Sequence, residues 1–310
     1  MKKSIMLLFA VAMLFSLVAC GSSSTEAKSD DQTTQQSSID KEPVKPESDS
    51  ETKSNFVIDN EVIVDNEYCT VTLVNATAKK SGVDFKFSLE NKTTDKNIMF
   101  SMDDTAVNGW LISSLFAESV AAGKKATETL SFSNSDLEDC GLTSIDKLEF
   151  YLRVYDNDDW MADEFVEDTF TVYPTGLTDV EVVSPDRWIG KDEMTVVDDA
   201  NCSFIILGTY EDSVWGYTVA VYLENKTADQ SMVFSWDDVS VNGYMIDPFW
   251  GASVSPGNKR ISTISFSSSE FDENNIESVD EIEFELRVYN DEDWYADDYV
   301  KDVFTYKPVQ

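Results

Sequence analysis

Phe85-Lys86-Phe87-Ser88-Leu89-Glu90-Asn91-Lys92-Thr93 recurs 134 residues later as Val219-Ala220-Val221-Tyr222-Leu223-Glu224-Asn225-Lys226-Thr227. In both stretches large apolar residues fall at every second position, the spacing that turns one face of a β-strand toward a core. Each run then stops at Asn-Lys-Thr, residues that favour a turn. The same alternation runs through Phe150–Tyr155, Thr129–Phe132 and Thr263–Phe266. These segments are rich in the β-branched and aromatic residues that fit a pleated, half-buried surface. Lys80-Ser81-Gly82, Asn108-Gly109 and Pro256-Gly257 supply further turns. Asn134–Cys140 and Ser268–Asn274 read as short helical turns.

Working outward, Ser88–Pro174 and Tyr222–Pro308 align without a gap and are identical at 40 of 87 positions. FS.DD..VNG (100–109 and 234–243), SFS (131–133 and 265–267), LRVY (152–155 and 286–289) and DW.AD (159–163 and 293–297) are shared. A one-residue indel upstream pairs Cys69 with Cys202. Units of this length are a tandem duplication rather than a solenoid of short repeats. The expected domains are 56–174 and 186–308, joined by a connector at 175–185. About seven strands per copy predict an all-β chain of two tandem immunoglobulin-like β-sandwich domains. A small barrel is the alternative that the same pattern permits.

Composition narrows the chemistry. The chain of 310 residues carries 23 Lys+Arg against 59 Asp+Glu, a net charge of −36, and no histidine. Nucleic acid is excluded as a partner, because phosphate binding runs on clustered cations. Without histidine there is no Ser-His-Asp triad, no Cys-His pair and no histidine-based zinc site. The chain therefore reads as non-enzymatic and without a cofactor. A hydrolase built on paired carboxylates is the remote alternative, since 59 acidic residues supply such pairs by chance.

Met1-Lys2-Lys3 is followed by an apolar run from Ile5 to Val18, 14 residues, and then by Leu17-Val18-Ala19-Cys20-Gly21. That run has the length of a signal-peptide core and is short for a membrane-spanning helix. The segment resembles the lipobox of bacterial lipoproteins, which implies a signal peptide at 1–19 and a lipid on Cys20. Residues 20–55 form a Ser/Thr/Gln/Asp-rich stretch that reads as a disordered tether, too polar to offset its ordering entropy. With lipobox, tether and Asn-Lys-Thr turns together, the whole chain resembles the two-domain surface lipoproteins of Gram-positive bacteria. Those proteins carry telokin-like, immunoglobulin-like domains of unknown function. The resemblance implies a lipid-anchored protein on the extracellular side of the cell membrane. Its partners would be the membrane, through Cys20, and an unidentified extracellular protein or glycan.

Three residue sets are candidates for a site. The acidic loops hold Asp156, Asp158, Asp159 and Asp163 in the first copy and Asp291, Asp293 and Asp297 in the second. Convergent carboxylates could bind Ca²⁺, which takes six to eight oxygens, and a calcium-dependent adhesion or carbohydrate-binding module is the alternative function. The glycine and spacing of an EF-hand are absent, and a solvated acidic turn explains the same residues. Trp160 and Trp294 follow those loops, whereas Trp188 and Trp215 belong to the second copy alone; all four are candidates for a contact surface. Core packing is the competing reading for Trp160 and Trp294. Beyond Cys20, the odd set Cys69, Cys140 and Cys202 reads as buried free thiols, with a Cys69–Cys140 disulfide as the alternative.

Overall fold

The computed structural model describes residues 55–159, 161–190, 192–293 and 295–309. The signal peptide, Cys20, the tether up to residue 54, Trp160 and Trp294 lie outside these residues. The first copy forms β1 (Glu61–Asp65), β2 (Cys69–Lys79), β3 (Gly82–Asn91), β4 (Ile98–Val107), β5 (Trp110–Leu111), β6 (Ala117–Val120) and β7 (Lys125–Ser133). A one-turn helix α1 (Asn134–Asp139) leads to β8 (Leu148–Asp156) and β9 (Val166–Val172). The second copy repeats the order as β10 (Met194–Asp198), β11 (Cys202–Asp212), β12 (Gly216–Asn225), β13 (Met232–Val241), β14 (Tyr244–Met245), β15 (Gly251–Val254) and β16 (Lys259–Phe266). It closes with α2 (Ser268–Glu273), β17 (Ile282–Asn290) and β18 (Val300–Tyr306).

The protein is all-β. In the first copy β1-β2-β3-β7 form one sheet, and β4, flanked by β5 and β6, pairs with β8 and then β9 in another. Strands β2-β3-β7 facing β6-β4-β8-β9 follow the A-B-E against C′-C-F-G order of an immunoglobulin-like sandwich, with β1 added at the outer edge. The second copy repeats this with β10-β11-β12-β16 and β15-β13-β17-β18. The expected seven strands become nine because the edge strands β1 and β10 and the two-residue strands β5 and β14 also pair.

Alternation does what the sequence implies. Val71, Leu73, Phe85, Phe87 and Leu89 from one sheet meet Phe100, Phe150 and Leu152 from the other, all fully buried. Phe87 stands edge-on to Phe150 with ring centroids 5.8 Å apart. In the second copy Trp236, on the strand equivalent to C, stacks on Phe284 at 4.0 Å; the first copy has Met102 there. Cys69, Cys140 and Cys202 are buried free thiols, so the Cys69–Cys140 disulfide does not form. Burial pushes the Cys69 thiol up to about 11 and that of Cys202 to about 12, which makes both poor nucleophiles.

Candidate interaction surface

Most repeated motifs are consumed by the fold. Asn91 is 1% exposed; its Nδ2 donates to Lys96 O (2.8 Å) and Val120 O (2.7 Å), and its Oδ1 accepts from Thr93 N (2.9 Å) and Thr93 Oγ1 (2.6 Å). Asn225 makes the same four bonds in the second copy. Asn-Lys-Thr is thus a knot tying two loops. In Val-Asn-Gly, Asn108 (φ 48°) and Gly109 (φ 85°) form the primed turn between β4 and β5, a conformation that favours Asn-Gly. Asn108 also donates to Ser144 O and accepts from the backbone N–H groups of Asp146 and Lys147, with Asn242 doing likewise for Ser278, Asp280 and Glu281. The Asp103-Asp104 and Asp237-Asp238 pairs sit at β-bulges, where Asp104 (φ 46°) and Asp238 (φ 50°) adopt the left-handed conformation that Asp tolerates.

The acidic loops lie between β8 and β9 and between β17 and β18, at one end of each sandwich. Asp156 is 4% exposed, ion-paired with Lys96, and accepts from Asp158 N (3.1 Å). Lys96 holds its carboxyl below the usual carboxylate range, and the Asp158 N–H adds to this. Asp158 accepts from Asn97 Nδ2 (3.1 Å), and Asp159 from Met161 N (3.3 Å). In the second copy Asn290 replaces Asp156 and accepts from Glu292 N (2.8 Å), while Gln230 replaces Lys96. Asp293 accepts from Tyr295 N (3.0 Å). Arg153 grips Glu164 through two nitrogens and lies over Tyr155; Arg287 grips Asp298 in the same way and lies over Tyr289. Among the described residues no three acidic or cysteine side chains come together at metal-holding distance. Asp156, Asp158, Asp159, Asp163, Asp291, Asp293 and Asp297 are not brought together in such a group.

Replacing Asp156 with Asn, the residue the second copy already uses, keeps the turn and removes the ion pair. A carboxyl depressed in the folded state stabilises above its unfolded pKa of about 3.9, and that contribution is lost as pH falls through the folded value. The stability difference between wild type and Asp156→Asn will accordingly be present at pH 7 and shrink below about pH 4. Urea midpoints measured across that range check this.

Beside exposed carboxylates such as Asp158, Asp159, Asp293 and Asp297, each loop presents a large apolar side chain to solvent. Met161 is 69% exposed, and Tyr295, its equivalent, is 99% exposed. The two copy-specific tryptophans part company. Trp215, on the β11–β12 hairpin, stands 64% exposed, whereas Trp188 is half-buried against the first core.

A second surface joins the copies. Strand β5 lies parallel to β16, with Lys259 N donating to Gly109 O (3.0 Å), so that one nine-stranded sheet runs through both. Trp110 is fully buried there, edge-on to Tyr222 (5.9 Å), under the Lys259 ammonium (4.7 Å), and its Nε1 donates to Pro185 O (3.1 Å). Lys259 Nζ donates to the same carbonyl (2.8 Å), and burial lowers its pKa. The outer face of β11–β12 supplies Ile205, Leu207, Ala220 and Tyr222 to the first copy's core. The equivalent residues of the first copy, Thr72, Val74, Lys86 and Ser88, leave that core's own outer face largely polar. The segment just after the connector passes so close to β11 that a Cβ on Gly190 would meet Leu207 O at 1.8 Å. A cleft of about 290 Å³ beside the joint is lined by Asn108, Lys147, Asp179, Glu224 and Lys259. Its polar groups are already engaged: Lys147 with Glu149 and Asp179, Lys259 with Pro185, Glu224 with Ser203.

No protein-family model matches the chain, and no characterised protein matches it in sequence.

Proposed function

We infer that the protein is a membrane-anchored extracellular lipoprotein whose duplicated sandwiches serve as binding or scaffolding modules without catalysis. The observation that carries the binding part is the pair Met161 and Tyr295, large apolar side chains held out to solvent at the same loop of both copies. Loops at the end of a rigid sandwich are where such folds commonly place recognition. The two loops belong to copies joined through one sheet, so a partner with two matching epitopes gains avidity. The anchor rests on the lipobox sequence ending in Cys20. A protein or glycan outside the membrane is the class of partner, and the absence of histidine supports a non-catalytic role.

Two experiments test the two parts separately. Cys20→Ser will move the protein from the membrane fraction to the medium; unchanged membrane retention would remove the anchor. Retention of the protein on fragments of its own cell envelope will fall at least ten-fold in a Met161→Ser/Tyr295→Ser double variant of unaltered melting temperature. Equal retention would move the contact surface elsewhere.

A further inference from the structure

The joint between the copies is heterologous: one edge of the first copy, β5, meets a different edge of the second, β16. Each copy possesses both edges, so one of each is left over. Strand β7, the equivalent of β16, ends the four-stranded sheet with no further strand on it among the described residues, and Lys125 occupies the place of Lys259. Strand β14, the equivalent of β5, ends the last sheet, with Tyr244-Met245 in the place of Trp110-Leu111 and Gly243 in the place of Gly109. Trp110 and Leu111 are buried by their partner edge, whereas Tyr244 is 49% and Met245 69% exposed.

We propose that a second copy of this chain docks head to tail, the β14 edge of one molecule pairing with the β7 edge of the next in the register that β5 and β16 use within the chain. An open sheet edge is a template for another strand. Charge disfavours the β14 edge meeting its own copy, since Asp237, Asp238, Asp247 and Glu281 surround β14, whereas Lys124 and Lys125 stand at the start of β7, Lys125 ion-paired with Glu90. Repeated from chain to chain, a heterologous contact of this kind builds a row that stays open unless the rotation between neighbours closes it into a ring. The receiving face carries Lys86 and Ser88 where the intrachain one has Ala220 and Tyr222, which makes the intermolecular joint weaker, reversible and sensitive to salt. The inference goes beyond the binding role and does not depend on it.

The test uses full-length chains in a Cys20→Ser background, one carrying Lys125→Cys and the other Tyr244→Cys, treated with a short bismaleimide. The expected result is a crosslinked dimer in the mixture, a ladder from the chain carrying both substitutions, and loss of both products in high salt or with Met245→Asp. Melting temperatures of the variants verify that each is folded. No crosslink in the mixture at about 100 μM overturns the proposal, as does a Tyr244→Cys chain that crosslinks to itself as well as to Lys125→Cys.

Discussion

Trp110→Ala will lower the melting temperature by about 10 °C, because truncating a fully buried tryptophan costs about 3–5 kcal/mol and each kcal/mol moves a unit of this size by about 2–4 °C. The loss has a particular location. The indole fills the seam between β5 and β16, covers Tyr222 and the Lys259 ammonium, and ties down Pro185. Its removal leaves Ile205, Leu207, Ala220 and Tyr222 poorly covered and takes one of the two donors from the Pro185 carbonyl. Unfolding of the variant will therefore separate into two transitions, one for each copy, where the wild type shows one. Differential scanning calorimetry reads both effects. Tyr244→Ala, the same change at the equivalent exposed position, will leave the melting temperature within about 2 °C, as expected of surface substitutions.

Asn91→Ala comes second, with an expected loss of about 3–5 kcal/mol. A buried polar group left without its partner costs about 1–3 kcal/mol, and this change strands Val120 O and Thr93 N together, while Lys96 O keeps only the Thr93 hydroxyl. Asn91→Asp will rescue little of this, since it keeps the acceptor toward Thr93 but points a carboxylate at two carbonyl oxygens. Chemical denaturation of the two variants, with Asn225→Ala as the internal repeat of the experiment, checks the claim. A loss below 1 kcal/mol at both positions would show that the knot is dispensable.

Both effects explain why the sequence is easier to read in some places than in others. The 134-residue offset and the period-two pattern in Phe85–Leu89 and Val219–Leu223 are local signals, and they specify sandwiches without any tertiary knowledge. Arg153 and Arg287, cations in a strongly acidic chain, each grip a carboxylate eleven residues on. Asn-Lys-Thr is legible as a turn, but the bond from Asn91 to the Val120 carbonyl is not, because Val120 lies 29 residues away. The recurrence of the Asp-Asp pairs follows from their backbone conformation at a bulge. The joint between the copies was missed for a different reason. Its signal is not a motif but a difference: Thr72, Lys86, Ser88 and Thr127 against Ile205, Ala220, Tyr222 and Ile261. Four outward positions of a sheet turn apolar in one copy only, which marks a face that something covers. Trp236 went unremarked because the other copy has Met102 there and the aligned landmarks passed over it.

The two sandwiches are fused by strand pairing between β5 and β16 rather than strung on a free linker, and this fixes the spacing of their loops. Amide hydrogen exchange at Lys259, whose N–H donates to Gly109 across the joint, tests this most directly. The prediction is protection equal to that of core amides such as those of Val221 and Phe87, lost in Trp110→Ala. Exchange of the Lys259 amide at the rate of an open loop, while both cores stay protected, would contradict it.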